Sequence, residues 1–472
     1  MRSPRRYHER PAKPRAVKTV HPRALKPPIA PPTALLLHPP ALPENATARL
    51  TRIDDQSNDE ILRFFEVSTH IIPAAYPRLA PFVSFSELER RGKASTGKSF
   101  PGSDTKESRI KRSARISEEL LKLRNDWAKG RVSLDGSENR LLWNVVNRYT
   151  RRGSNSSTTM SPKRKPVTLV LAHATGMPKE TWEPFLCSLC KELEGNDDVL
   201  IDEAWAIEAI NHGDSFVLNA DKVGVLFDWS EHARDILNFL RNYLPDKSSS
   251  MSTLPVHLAS VPEDVGHSRS AFGFRDRTVV GIGHSFGGCA SVLAAVNMPK
   301  LFTSLILADP VIVPEYKDRT QQVLFYASIS LQRQESWSSR DEALKLLRKS
   351  PVFAAWHPSA ILKYAKYGLV TRERETRVKL KMSGLQEAIT FVDIQASYEA
   401  FELLEGLDEN VDLLWVMASK NSGLLNLEEE KWQVWRRSTN CDNVCTTSGH
   451  LIVQEAPDQL GALCSILLDG LS

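Results

Sequence analysis

The run Thr278-Val279-Val280-Gly281-Ile282-Gly283-His284-Ser285-Phe286-Gly287-Gly288 constrains this chain more than any other. Its first half is short, apolar and rich in β-branched residues, which reads as a buried strand. A G-x-S-x-G follows at once, and a small-residue, helix-compatible stretch runs from Cys289 to Met298. A strand that turns directly into a helix lifts one serine onto a sharp, strained corner, the arrangement known as a nucleophile elbow. Glycines flank that serine because side chains there would collide with the neighbouring strand and helix. An ordinary glycine turn is the competing reading. The strand before and the helix after favour the elbow.

The text around the elbow alternates between strand and helix. Leu62 to Ile72 is apolar and β-compatible, Arg140 to Tyr149 reads as the next strand, and Val167 to Ala172 as the third. A helix pattern around Trp182 to Leu193, a strand from Ala204 to Ile210 and a helix from Trp229 to Tyr243 lead to the elbow strand. Strand Ser304 to Ala308 comes next, then a long helical excursion, then strands Val411 to Ala418 and Val444 to Thr447. The rhythm predicts an α/β protein with a mostly parallel sheet and a helical cap inserted after strand 6, the α/β-hydrolase fold. We expect a disordered, basic, Pro-rich tail over residues 1–60 and a core over 61–309 with insertions near 87–135 and 245–276. A helical cap over 310–410 and the rest of the core over 411–472 complete the division.

A serine hydroxyl is a poor nucleophile at neutral pH, so it needs a base within reach and a carboxylate to orient that base. In this fold the chain order is serine, acid, histidine. His450, in Ser448-Gly449-His450-Leu451, lies after the terminal strand and before the last helix, where the base is expected. His357, in Trp356-His357-Pro358, falls inside the cap and reads as a packing or pocket residue. The usual place for the acid is the turn after the seventh strand, Ser419-Lys420-Asn421-Ser422-Gly423, which has no carboxylate. Asp309, at the carboxyl end of the sixth strand, is the choice, because sites in open α/β sheets form at that end. A turn-initiating Asp-Pro is its structural alternative, and Glu428 to Glu430 are the fallback acids.

The oxyanion of acyl transfer needs two backbone N–H donors. Phe286, after the nucleophile, supplies one, and Thr175, in the small-residue loop His173 to Pro178, is expected to supply the other. His173 reads as a prop for that loop and His284 as packing. Asn211-His212-Gly213-Asp214-Ser215 is a glycine loop with too few ligands for a metal. No cofactor and no metal are expected. Tyr326, Trp337, Trp356 and Tyr364 are the cap aromatics that could line a pocket, and the sequence does not choose among them.

Composition narrows the setting. The chain has 472 residues, 41% hydrophobic and 25% charged, and no apolar run long enough to span a bilayer. Six cysteines without a leading hydrophobic core argue against a disulfide framework and for an intracellular protein. Cys187 and Cys190 form a C-x-x-C within a helix pattern, which reads as small residues on a helix flank and not as a redox or metal pair. Residues 1–50 carry ten Lys or Arg against Glu9 and Glu44, so the remaining chain is net negative. Eleven prolines in the same stretch oppose a targeting helix. No aromatic interleaving supports nucleic-acid binding there.

Several blocks together resemble a fungal α/β-hydrolase family that includes hydrolases of host-selective toxin clusters and of mycophenolic acid biosynthesis. They are H-A-T-G-M-P-K-E-T-W-E-P at His173 to Pro184, Asp228 to Asp235, G-I-G-H-S-F-G-G at Gly281 to Gly288, and L-I-L-A-D-P-V-I at Leu305 to Ile312. Trp356-His357-Pro358, Tyr364 to Leu369 and the S-G-H-L-I-V-Q-E-A-P close continue the match, which covers roughly Phe64 to Leu468. The resemblance implies a Ser285, Asp309, His450 triad and a small-molecule ester or thioester substrate, with acyl-CoA one candidate, in fungal secondary metabolism. Many members carry a peroxisomal tripeptide of the S-K-L type, whereas this chain ends Asp469-Gly470-Leu471-Ser472, so cytoplasmic residence is expected. A hydrolase-fold binding protein with a silent site is the rival from another class. C–C bond hydrolysis or acyl transfer on the same triad is the rival among enzymes.

Overall fold

The computed structural model describes residues 6–11, 21–43, 59–102, 105–132, 139–152, 165–196, 198–246, 254–371, 376–420 and 425–469. Eight core strands carry the molecule: β1 (Phe65–Pro73), β2 (Trp143–Arg151), β3 (Lys165–Ala172), β4 (Val199–Ile207), β5 (Thr278–His284), β6 (Ser304–Ala308), β7 (Asp412–Ala418) and β8 (Cys441–Thr446). They form one sheet in the order β1-β2-β4-β3-β5-β6-β7-β8. β2 pairs antiparallel with both β1 and β4, and every other pairing is parallel. Parallel strands need covered faces, and the inner strands are accordingly almost continuous in Val, Ile, Leu and Ala. Leu169, Leu171, Val280, Ile282, Leu305 and Leu307 are fully buried.

Each face has its own core. On one, helices Trp229–Asn238, Phe286–Asn297 and Gln395–Leu404 pack over the sheet through Trp229, Ala233, Ala290, Ala294 and Ala400. On the other, helices Glu183–Glu192 and Pro457–Asp469 pack together over Leu169, Ile282 and Val416. Cys187 and Cys190 are buried in the first of these last two helices, and burial pushes the Cys190 thiol up to about 12. That environment is inert.

The excursion after β6 contains helices Thr320–Gln332, Arg340–Lys349, Pro358–Tyr367 and Gly384–Phe391. It also holds a small antiparallel sheet of Ser336–Trp337, Val378–Leu380 and Leu369–Val370, which helical patterning alone did not announce. Helix Gln395–Leu404 packs on the elbow helix as part of the core, where the Cys289 thiol donates to Ala396 O at 3.4 Å.

The segment expected as an insertion near 87–135 supplies helices Phe85–Thr96 and Lys106–Ala128, the second packed on the cap helix Thr320–Gln332. Thr105 caps that second helix reciprocally with Ser108. Its buried Arg124 pairs with Asp393 at 2.7 Å and Asp228 at 3.3 Å. Within the insertion near 245–276, Val256 and Leu258 bond across Ile71 on the outer side of β1, and Glu263–Phe272 is helical. The loop between β2 and β3 lies, over 153–164, outside the described residues.

The tail expected over residues 1–60 is in part packed. Arg23 donates to Asp228 at 2.6 Å and to Glu399 at 2.6 Å, two acceptors that are themselves buried. Tyr7 N–H donates to Asn443 O on β8 at 3.0 Å, and Ile29 bridges to Tyr76. Charge and proline content predicted solvation. Buried carboxylates on the body take up Arg23 instead, and prolines suit an extended strap as well as a free coil.

Buried histidines mark the sheet and its helix layer. His70 and His173 are driven down to about 4 and His284 to about 3, in each case first by burial. His212 and His232 are held well below the ordinary 6.5 for the same reason. All five are neutral in the folded protein at neutral pH. The unfolded chain takes up protons below about 6.5 that the folded one refuses, so stability is full above that value and falls as pH drops toward 4. Each such histidine contributes a slope of about 1.4 kcal/mol per pH unit.

Urea unfolding should therefore show a midpoint falling steadily between pH 6.5 and pH 4.5, and a flat profile there would contradict the burial of these rings. The packed strap makes a second forecast. Arg23→Ala, which leaves Asp228 and Glu399 buried beside a missing cation, should cost about 2 kcal/mol. A loss below about 0.5 kcal/mol would return residues 21–43 to the status of a solvated tail.

Candidate active site

Ser285 sits between β5 and the elbow helix Phe286–Asn297 with φ 57° and ψ −120°. A non-glycine residue there is strained by roughly 1–3 kcal/mol and persists only where its surroundings over-determine it. Here they do. Ser285 N–H donates to Ala308 O at 3.2 Å, while Ser285 O accepts from Gly288 at 3.1 Å, Cys289 at 3.2 Å and Val311 at 3.1 Å. The glycines have the reason the sequence suggested. A Cβ on Gly283 would lie 2.6 Å from Gly287 O, and one on Gly287 2.5 Å from the carbonyls of Ala172 and His173. One on Gly288 would meet Pro310 Cβ at 2.7 Å. The elbow helix thus seats its first turn against the end of β3 and against the residue after Asp309.

His450 enters this corner from the loop after β8. Its Nε2 lies 3.0 Å from Ser285 Oγ and its Nδ1 2.6 Å from Asp309 Oδ2. With Nδ1–H donating to the carboxylate, Nε2 is left to accept the serine proton. Asp309 follows β6 with φ 38°. Its N–H donates to Val416 O at 2.9 Å, and its other carboxylate oxygen accepts from Ala418 N–H at 3.2 Å. A carboxylate on β6 is therefore braced by β7, the strand whose following turn lacks one. Of that turn, residues 421–423 lie outside the described residues. Among the fallback acids, Glu429 closes a capping box with Asn426, and Glu430 lies 3.4 Å from His8.

His284, next to the serine, is fully buried, and its Nε2 lies 2.9 Å from His450 O, so it supports the backbone at His450. His357 caps helix Pro358–Tyr367 and lies 2.6 Å from Ser359 Oγ.

Thr175 is in a turn closed by Met177 N–H to Ala174 O at 3.1 Å, with Gly176 at φ 80°. His173 props that turn as expected of it: Nδ1 lies 2.9 Å from Ala174 O and Nε2 accepts from Ala209 N–H at 3.1 Å. The Phe286 ring is the hub of an aromatic cluster with His173, His212, Phe227, Trp229 and His232, all with centroids within 6.4 Å. The cap closes over the same corner. Trp356 and Tyr364 pack with Ala360 and Ile361 on Ala174 and Met177 of the Thr175 loop, with Leu451, beside His450, at the margin. Trp337 belongs instead to the interior of the cap, and Tyr326 stacks on Phe391 at 5.3 Å.

Sequence reasoning missed a buried charge network under this loop. Lys179 pairs with Asp214 at 2.7 Å, Glu180 at 3.1 Å and Glu208 at 3.5 Å, and Lys381 of the cap also reaches Asp214. Burial opposes the charge on Asp214, yet Lys179 and Lys381 hold it below the usual carboxylate range. Glu208 is pushed up to about 7, first by burial. The alternating charges of Lys179-Glu180 and the lone Asp214 were visible, but nothing in their spacing said they would meet. Asn211 to Ser215 belongs to this network, and among the described residues no cluster of His, Cys, Asp and Glu is suited to a metal. No helix among them is long and apolar enough to cross a membrane.

Known proteins are similar to this chain to differing extents. A Type I acyl-CoA thioesterase, mpaH, of Penicillium roqueforti is 28% identical over 206 residues, 43% of this chain and 39% of its own length. The Peroxisomal membrane protein LPX1 of Saccharomyces cerevisiae is 26% identical over 243 residues, 48% of this chain and 56% of its own. The chain thus spans about two fifths to just over half the length of these curated relatives. An abhydrolase domain-containing protein of Alternaria alternata, AFT2-1, is 36% identical over a shorter 83 residues, 18% of this chain and 30% of its own. The solved structure of yeast Lpx1, a peroxisomal alpha-beta-hydrolase, superposes with a TM-score of 0.58 at 19% identity, covering 86% of this chain and 90% of that one. That likeness is one of fold. Residues 169–462 match the Alpha/beta hydrolase family, a span that takes in the serine elbow, the strand-end aspartate and the final histidine, and the chain is a member of it.

Proposed function

We propose that this enzyme is a cofactor-independent serine hydrolase that cleaves an ester or thioester of a small metabolite through Ser285, His450 and Asp309. The observation that carries the reading is the unbroken hydrogen-bonded line from Ser285 Oγ through His450 to Asp309, at 3.0 Å and 2.6 Å. Ser285 attacks the carbonyl carbon as His450 Nε2 takes its proton, and Asp309 steadies the imidazolium that forms. The amides of Phe286 and Thr175 hold the oxyanion. His450 then returns the proton to the departing alcohol or thiol, and water activated by the same ring clears the acyl-enzyme. A carboxylate nucleophile, which epoxide opening or dehalogenation on this fold would use, is absent from the elbow.

The thioester option draws support from the thioesterase name of the Penicillium relatives. The aromatic surface of Trp356 and Tyr364 against the Thr175 loop suits an apolar acyl group. A role in secondary metabolism rests on the family resemblance. For compartment we propose the cytoplasm, although the yeast relative is peroxisomal by name. A fluorescent fusion that preserves the native C terminus and collects in peroxisomes would overturn that.

The central test is covalent. A fluorophosphonate probe should label the wild-type protein and leave Ser285→Ala unlabelled; absent labelling would favour a binding protein with a silent site. Asp309→Asn should lower kcat by about 10⁴ with the fold intact by circular dichroism. Near-normal turnover in that variant would pass the acid's role to Glu428 or its neighbours. Panels of acyl-CoA thioesters, lactones and simple esters then assign the substrate class, and transfer to an added alcohol in preference to water would indicate an acyltransferase.

A further inference from the structure

Two backbone amides, from two separate segments, must converge on one oxygen atom for the proposed chemistry, and the ring of His212 touches both segments. His212, fully buried, accepts the Gly176 N–H on its Nε2 at 3.1 Å. Its ring lies stacked on Phe286, 5.5 Å between centroids at 14°. Gly176 follows Thr175 directly, so the bond to Gly176 N–H fixes the plane of the Thr175–Gly176 peptide and with it the torsion of Thr175. The stacking contact fixes the residue that opens the elbow helix.

The ring itself is held from the cap. His212 Nδ1 lies 2.9 Å from Asn211 Oδ1, and since Nε2 is an acceptor, Nδ1 carries the proton and donates. Asn211 Nδ2 donates to Thr390 Oγ1 at 2.9 Å, and Thr390 Oγ1 donates in turn to Gln386 O at 2.9 Å, both on the cap helix Gly384–Phe391. The same helix meets the loop a second time. Glu387, paired with Arg333, lies so near that a Cβ on Gly176 would come 2.8 Å from its Oε1. Gly176 thus bonds to His212 through its nitrogen and has a cap side chain beside its α-carbon.

We infer that His212 is a positioning residue for the oxyanion site, and that the chain Thr390–Asn211–His212–Gly176 lets the cap helix set the alignment of the Thr175 amide. This rests on the hydrolase reading above. The imidazole touches no substrate; it acts through the two donors. A cap helix displaced by a poorly fitting acyl group would slacken Asn211, then His212, then the donor loop. Substrate fit would then be felt in turnover more than in binding, the signature of an interaction made in the transition state.

The test uses three variants of the full-length enzyme. His212→Phe keeps the ring on Phe286 but removes both nitrogens. It should lower kcat about 10²-fold with KM little changed, the scale of losing one oxyanion donor. Affinity for a trifluoromethyl ketone, whose adduct places an anion in that site, should fall in parallel with kcat/KM. His212→Gln, which restores an acceptor near the Nε2 position, should recover most of the activity. Thr390→Val, nearly isosteric, should lower kcat about tenfold by freeing Asn211. A His212→Phe enzyme with turnover and trifluoromethyl ketone affinity within about threefold of wild type would overturn the inference. If that variant fails to fold, full kcat in Thr390→Val overturns it instead. Activity undiminished in Ser285→Ala would sink the hydrolase reading itself. A Ser285-dependent enzyme indifferent to His212 and Thr390 would sink only this inference.

Discussion

Ser285 is held in a backbone conformation that serine avoids, and the rest of the molecule is arranged so that it has no alternative. Its amide is bonded to the end of β6, and its carbonyl accepts from the elbow helix and from the segment after Asp309. The first turn of the elbow helix and the strand-end segment from Ala308 to Val311 must therefore both close around one residue before its hydroxyl points at His450. The strain is local, whereas the bonds that sustain it belong to the sheet. The parallel pairing of β5 with β3 and β6 is thus the foundation of the chemistry as much as of the fold.

The sheet was legible because a parallel, doubly covered sheet writes itself as apolar runs with glycine punctuation, as at Thr278 to Gly283. The candidate triad was legible for a different reason: its members sit at strand ends, so order along the chain and position relative to strands suffice to nominate them. Asp309 needed one more step, the lack of a carboxylate after β7, and the structure shows the physical counterpart in Ala418 N–H, which bonds the Asp309 carboxylate from that strand. The partner of helix Gln395–Leu404 was not legible, because its helical pattern is the same whether it packs on a cap or on the elbow helix. His212 was read as part of a glycine loop, and its grip on Gly176 could not be foreseen, since partners 36 residues apart leave no periodic trace. The strap over residues 21–43 escaped for a third reason. Composition reports the cost of leaving water, not the presence of buried Asp228 and Glu399 waiting for a guanidinium.

Those arginine contacts belong to a wider habit of this protein, which buries charge in pairs. Arg78 lies between Glu231 and Asp235, Arg124 between Asp228 and Asp393, and Lys179 among Glu180, Glu208 and Asp214. Such pairs add little net stability over apolar packing, but breaking one leaves a costly orphan. Several of them tie separate elements together: Lys381 joins the cap to the Asn211–Ser215 loop, and Arg124 joins the inserted helix to the segment that precedes Gln395–Leu404. The cap is therefore registered on the core by directional contacts as well as by Trp356 and Tyr364.

The segment around Tyr7 and His8 reaches the rim of the sheet. Every open sheet ends in two strands with unspent hydrogen-bonding capacity, and here β1 and β8 hold those places. Val256 and Leu258 bond along the outside of β1 at Ile71, while Tyr7 and His8 bond to Asn443 on β8. Residues 7 and 8 thereby occupy part of an edge to which another extended segment would otherwise have access, and the outer side of β1 is taken up in the same way by the chain itself.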